Sequence, residues 1–243
     1  MEPTTRPIAM TTYHAGSATT TGVKTAPLES GDRLTRPEFE RRYRASTVKK
    51  AELIEGVVYV ASPLRFQQHA EPHSRIHGWV WTYQVMTPGL RLGIEPTVRL
   101  DLDNEPQPDI VLLVDEVAGG QARLSSDGYL EGTPELVIEI AASSAAIDLG
   151  DKKQAYRRNG VPEYLVWQVY ENRLDWFYLV DGDYQLLPVD ADGIIRSATF
   201  PGLWLAETAL LQGNMAQVLA VLQTGLQSPE HQQFGMDLSS FSP

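Results

Sequence analysis

The sequence contains no cysteine. Its absence excludes disulfide staples, thiolate metal sites and a cysteine nucleophile, and leaves carboxylates and histidines to hold any metal ion. Also lacking is an apolar run long enough to span a bilayer, and residues 1–30 do not show the basic-then-apolar layout of a signal peptide. A soluble, cytoplasmic protein with no membrane partner is expected. Positive charge is scarce: 20 Lys and Arg stand against 31 Asp and Glu, for a net charge of -11. Such a balance argues against a surface that grips many phosphates. Fields are set locally, however, and the stretch Lys152, Lys153, Arg157, Arg158 can attract a phosphodiester on an acidic molecule. No internal repeat or heptad is present.

What is there suffices for one substantial core, since 42% of the 243 residues are apolar. Residues 1–32, rich in Thr, Ala, Gly and Pro without a period of 2 or 3.6, are expected to be a disordered leader. The main domain is expected over 33–212, and a C-terminal helix with a frayed tail over 213–243. Thr35 and Glu38 have capping-box spacing, with Pro37 tolerated in the first turn of a short helix through Tyr43. Two extended segments hinge at Glu55-Gly56, and residues 73–86 carry Ile76, Trp79, Val80 and Tyr83 at helical spacing before Pro88-Gly89. Strands are expected over 92–102, 109–114 and 136–141, then a helix over 148–159 stopped by Gly160. Further strands over 164–169, 174–179 and 184–189 alternate with the turns Glu171-Asn172 and Asp181-Gly182. Residues 204–227 read as helical with a break near Gly213-Asn214. The implied fold is of α/β composition, an α+β mixed sheet with flanking helices and extra antiparallel strands.

Two carboxylates stand out. Glu139 interrupts the apolar strand Leu136-Val137-Ile138-Glu139-Ile140-Ala141, where an unpaired charge costs several kcal/mol, roughly, unless a cation or strong hydrogen bonds lie close by. Alternation puts it on the face of Val137 and Ala141. Asp109 follows Pro108 and opens the apolar run 110–114, so its carboxylate projects from a strand end. If the two strands are neighbours, both can converge on one hard cation, Mg²⁺ or its substitute Mn²⁺. Taken singly, Asp109 would equally suit a turn and Glu139 a structural ion pair.

Residues 107–169 resemble the signature of the Uma-type family of restriction-endonuclease-like proteins, within the PD-(D/E)XK nuclease superfamily. The pattern stands here as Gln107-Pro108-Asp109, Pro134-Glu135-Leu136-Val137-Ile138-Glu139-Ile140 and Ser143-Ser144. It continues with Asp148, Lys152 and Tyr156, then Gly160-Val161-Pro162-Glu163-Tyr164, and extends outward to Glu52-Leu53-Ile54-Glu55-Gly56 and Phe200-Pro201-Gly202-Leu203. The resemblance implies a restriction-endonuclease-like core whose metal ligands are Asp109, Glu139 and the backbone carbonyl of Ile140. The superfamily's lysine, two residues beyond the Glu, is replaced by Ala141. In the resembling family the matching cation lies on the following helix, at Lys152. Helical periodicity alone does not choose between Lys152 and Lys153. Gln107, Glu52 and His73 are further candidates. His69 and His73 also have the four-residue spacing of a helical zinc pair, but Pro72 between them argues against a regular helix through both.

The expected activity is magnesium-dependent hydrolysis of DNA phosphodiesters by Asp109, Glu139 and Lys152, with a homodimer as the form that would cut both strands. A catalytically inactive nuclease fold serving as a protein-binding module is the alternative, which the acidic charge and Ala141 both permit. A hydrolase using Ser143 or Ser144 with His69 or His73 lacks a nucleophile-elbow motif.

Overall fold

The computed structural model describes residues 25–240. Helix α1 (Arg36–Ala45) leads into the hairpin β1 (Ala51–Ile54) and β2 (Val57–Val60), and a π turn (Phe66–Ala70) runs directly into α2 (Glu71–Val85). Strands β3 (Leu90–Ile94), β4 (Val98–Arg99), β5 (Ile110–Val114), β6 (Arg123–Leu124), β7 (Leu130–Glu131) and β8 (Leu136–Ala141) follow. A helical crossover then comprises α3 (Ala145–Ile147), a second π turn (Asp148–Lys152) and α4 (Lys153–Arg158), and delivers the chain to β9 (Glu163–Gln168). Strands β10 (Arg173–Val180), β11 (Asp183–Leu186), β12 (Ile194–Arg196) and β13 (Trp204–Ala206) precede α5 (Glu207–Leu211), α6 (Met215–Leu226) and α7 (Pro229–Ser239).

The architecture is α+β, built on a six-stranded sheet of order β11-β10-β9-β8-β5-β3. Within this sheet β8 and β9, joined by the long crossover, pair in parallel, while hairpins and returning loops make its other neighbours antiparallel. Every residue of β8 and β9 is buried, as strands apolar on both faces require. One face of the sheet, with Ile110, Leu112, Leu136, Ile138 and Ile140, packs on Ile76, Trp79, Val80 and Tyr83 of α2 and on Val218 and Leu222 of α6. The other, with Val111, Leu113, Val137, Ala141 and Val166, packs on Tyr156 of α4. By alternation Asp109 and Glu139 belong to this second face. The β1–β2 hairpin and α1 form a satellite core of Leu28, Phe39, Ala51, Leu53 and Val58. Its turn is the expected Glu55-Gly56, with φ of 53° and 71°, as a tight right-twisted hairpin demands.

Several local expectations differ from the structure. Of the expected leader, residues 1–24 lie outside the described residues, whereas Leu28 is buried and Gly31 N donates to Val58 O at 2.8 Å. Thr35 begins α1 without a side-chain cap bond, and the Glu38 carboxylate is held by Arg41 and Arg42 at 2.8 and 2.7 Å instead of completing a capping box. Residues 204–206 are a strand rather than helix, drawn into pairing with β12. Beyond Ser228, where fraying was expected, α7 forms with the Ser228 hydroxyl accepting from His231 N (3.2 Å), and Leu238 is buried in the main core.

The C-terminal helices are therefore integral to the core. Trp79 Nε1 donates to Trp204 O (3.0 Å) and Tyr83 OH to Pro201 O (2.7 Å), while α6 crosses the 200–203 loop so closely that a Cβ on Gly225 would lie 2.2 Å from Gly202 O. Gly225→Ala is expected to destabilise the fold by about 1–3 kcal/mol, as overpacking does. Chemical denaturation of the purified variant measures this, and unchanged stability would mean that α6 moves aside freely.

Candidate functional site

Where the ends of β5 and β8 meet β1, the 61–65 loop and the crossover, the second face opens into a cavity of about 740 Å³. Lys50, Glu52, His69, Asp109, Glu139 and Lys152 are among its lining residues. A smaller cavity of about 320 Å³, beside Leu92, Val111 and Tyr129, is lined by no carboxylate or histidine and offers no comparable chemistry.

Asp109 and Glu139 lie opposite one another. The antiparallel register of β5 and β8 pairs Ile110 with Ile138, and one further step brings residue 109 beside residue 139. Glu95 N anchors the Asp109 backbone through a bond of 3.0 Å to its carbonyl. The two Asp109 oxygens then part company: Oδ2 accepts from Ile140 N at 2.7 Å, whereas Oδ1 faces His69 Nε2 at 3.3 Å and Lys50 Nζ at 3.9 Å. Glu139 Oε1 accepts from both Lys152 Nζ and Tyr156 OH at 3.0 Å.

Lys152 and Lys153, indistinguishable by periodicity, go separate ways. A helical step of about 100° means that only one of two consecutive residues can face the sheet. The π turn ending at Lys152 points that residue inward, where its ammonium also lies 3.0 Å from Glu52 Oε1 and 3.5 Å from Asp148 Oδ1. Lys153 instead rests 3.6 Å above the Phe177 ring. Nor does the basic stretch form one patch: Arg157 binds Gly182 O and Asp183, and Arg158 binds Glu55. Each arginine is neutralised by its nearest acid before it can contribute to the cavity. Gln107 contributes its backbone N–H, donated to Glu52 Oε1 at 2.7 Å, while its side chain turns to Thr97.

As expected from Pro72, no regular α-helix runs through both histidines, yet their rings meet. Pro72 does not separate them, because it occupies the first turn of α2, where no N–H is needed. The preceding turn widens to π spacing, with Ala70 N donating to Arg65 O and Glu71 N to Phe66 O, and brings the His69 and His73 rings within 5.7 Å. One ligand atom from each of His69, His73 and Asp109 lies within 4.8 Å of the other two. Sequence reasoning passed over His69 as a partner of Asp109, and also Lys50, Arg65 and the Tyr156 contact to Glu139. Lys50 had a local signal, standing two residues before Glu52 and so on the same face of an extended chain. Arg65 had none, because loop geometry alone brings it to the rim.

Electrostatics follow from burial. Glu139, Asp148 and Lys152 are buried, and Glu52 is nearly so, which leaves one ammonium among three carboxylates. Burial pushes Glu139 well above the usual carboxylate range, and Asp148, Asp109 and Glu52 add repulsion that Lys152 only partly offsets. Asp148 is likewise raised, first by burial. Burial would lower Lys152, but the surrounding carboxylates outweigh it and hold the ammonium charged. Asp109 would also be raised by burial, yet His69, the Ile140 N–H and Lys50 bring it below its ordinary value. His73 is pushed down by burial, whereas at His69 the Asp109 carboxylate overcomes burial and raises the ring.

The profile of the Uma2 family, described as "Putative restriction endonuclease", matches residues 36–209. No curated protein matches the chain. Among solved structures, a protein from Anabaena variabilis described as "a putative nuclease belonging to DUF820" has a similar fold, with a TM-score of 0.56 and 15% sequence identity. The alignment covers 74% of this chain and 98% of that one.

Removing the one cation exposes the imbalance. Lys152→Met is expected to lower stability by roughly 3–5 kcal/mol near neutral pH, because it strands buried carboxylates. Groups whose folded pKa is raised contribute stability that is present below their ordinary pKa and lost as pH rises through the folded value. The loss in Lys152→Met should therefore be smaller at about pH 5 than at about pH 8. Thermal unfolding at both pH values checks the sign, and an equal loss at each would remove Glu139 and Asp148 as its cause.

Proposed function

The chain belongs to the Uma2 family of restriction-endonuclease-like proteins, and from that membership and the cavity's chemistry we propose that it is a metal-dependent endonuclease hydrolysing DNA phosphodiester bonds. The observation that carries this reading is the convergence of Asp109 and Glu139, from adjacent strands, on one cavity that Lys152 also lines.

The donor set suits a hard divalent cation. Buried carboxylates outnumber the cations beside them, and oxygen ligands are what Mg²⁺ prefers, with Mn²⁺ as a substitute. Asp109, Glu139 and the Ile140 carbonyl are the proposed ligands. When bound, the ion supplies positive charge at the scissile phosphate and makes water more acidic. Lys152 supplies from the crossover the cation that Ala141 cannot, and its ammonium serves the charge that develops on phosphate oxygens. Tyr156 OH and Lys152 share Glu139 Oε1 and so hold its carboxylate in one orientation. Glu52 in turn anchors Lys152, and Lys50 and Arg65 provide local positive charge for an incoming phosphate on an otherwise acidic protein. The proposed setting is the cytoplasm, and a homodimer would present two sites for the two strands. Among the described residues no helix is long and apolar enough to cross a membrane.

Nicking of supercoiled DNA with Mg²⁺ or Mn²⁺ tests the proposal. Asp109→Ala and Glu139→Ala should each abolish nicking, and Lys152→Ala should slow it roughly 100- to 1,000-fold, as the loss of one charge-stabilising donor does. Lys153→Ala should leave it nearly unchanged. Full activity in either carboxylate variant would refute the assignment.

A further inference from the structure

The carboxylate side of the cavity does not account for His69 and His73. Both present a buried Nε2 with no hydrogen-bond partner among the described residues, and His69 is itself more than nine-tenths buried. His69 Nε2 approaches Asp109 Oδ1 to 3.3 Å but is not aligned for a hydrogen bond. Buried polar atoms are normally satisfied, so two orphaned ring nitrogens side by side call for a shared partner. Asp109 is oriented to complete the set, since its Oδ2 is engaged by Ile140 N while Oδ1 faces the His69 imidazole, with Lys50 Nζ at 3.9 Å. The π turn that accommodates Pro72 also brings the two rings together, and such turns recur at functional sites.

We propose that His69, His73 and Asp109 form a three-ligand site for a divalent transition-metal ion of the Zn²⁺ or Co²⁺ class. One ligand atom from each residue lies within 4.8 Å of the others, so side-chain adjustment would have to draw all three onto a single ion. Two imidazole nitrogens and one carboxylate oxygen suit borderline ions and disfavour Mg²⁺. Three protein ligands leave a coordination position open to water or to a phosphate oxygen, as in catalytic rather than structural zinc sites. The site shares Asp109 with the proposed magnesium ligands but needs neither Glu139 nor Lys152. It goes beyond the phosphodiesterase reading and can fail separately from it.

The test is Co²⁺ titration of the full chain after chelator treatment, followed by visible absorption and by proton NMR of the loaded protein. The native chain should bind one Co²⁺ with ligand-field bands and show two hyperfine-shifted, exchangeable imidazole N–H signals. His69→Asn and His73→Asn should each remove one signal and weaken Co²⁺ binding at least about tenfold, the scale on which metal-site substitutions act. Glu139→Gln should keep both signals and lose DNA nicking. Absence of the paired signals from the native chain, a measurement that needs no variant, would overturn the proposal. So would native Co²⁺ affinity in both histidine variants, or loss of the site in Glu139→Gln alone. Both signals present in a native chain that does not nick DNA would support the histidine site and count against the nuclease reading.

Discussion

A single ammonium group among three carboxylates governs this molecule. Lys152 lies within 3.5 Å of Glu52 from the hairpin, Glu139 from the central strand and Asp148 from the crossover, so one cation ties together three elements far apart in sequence. Such a buried cluster is a poor source of stability, because desolvating four charges offsets most of their mutual attraction. Its value lies in specificity of arrangement: the crossover cannot rotate without stranding Glu139, and the hairpin cannot shift without releasing Glu52. The apolar faces of the sheet supply the stability that holds this charge in place.

The strand end at Asp109 joins the two halves of the cavity. One oxygen is fixed by the Ile140 amide, on the strand that bears Glu139, and the other looks towards the start of α2. A carboxylate constrained at one oxygen presents the other in a defined direction, which is what a metal ligand on a rigid element requires. The π turn before α2 is the complementary element, since it carries His69 to within 3.3 Å of that oxygen.

The acidic character of the chain has a local explanation. Arginines on the exterior are consumed by neighbouring acids, as in Arg41 and Arg42 with Glu38, Arg157 with Asp183 and Arg158 with Glu55. The cations that line the cavity, Lys50, Lys152 and Arg65, stand there against Glu52, Asp109, Glu139 and Asp148, so the cavity lining is itself acidic on balance.

Much of this organisation was legible in the sequence. A charged residue inside an apolar strand marked Glu139, the residue before an apolar run marked Asp109, and alternation gave Glu139 the face of Val137 and Ala141. These signals are local and periodic, so the chain itself determined them. The pairing of β5 with β8, the choice of Lys152 over Lys153, the dispersal of the basic stretch and the meeting of His69 with Asp109 were decided only by the tertiary structure. Each depends on residues brought together across long intervals, or on a helical turn whose width is set by what it packs against, and no pattern of neighbours along the chain encodes such distances.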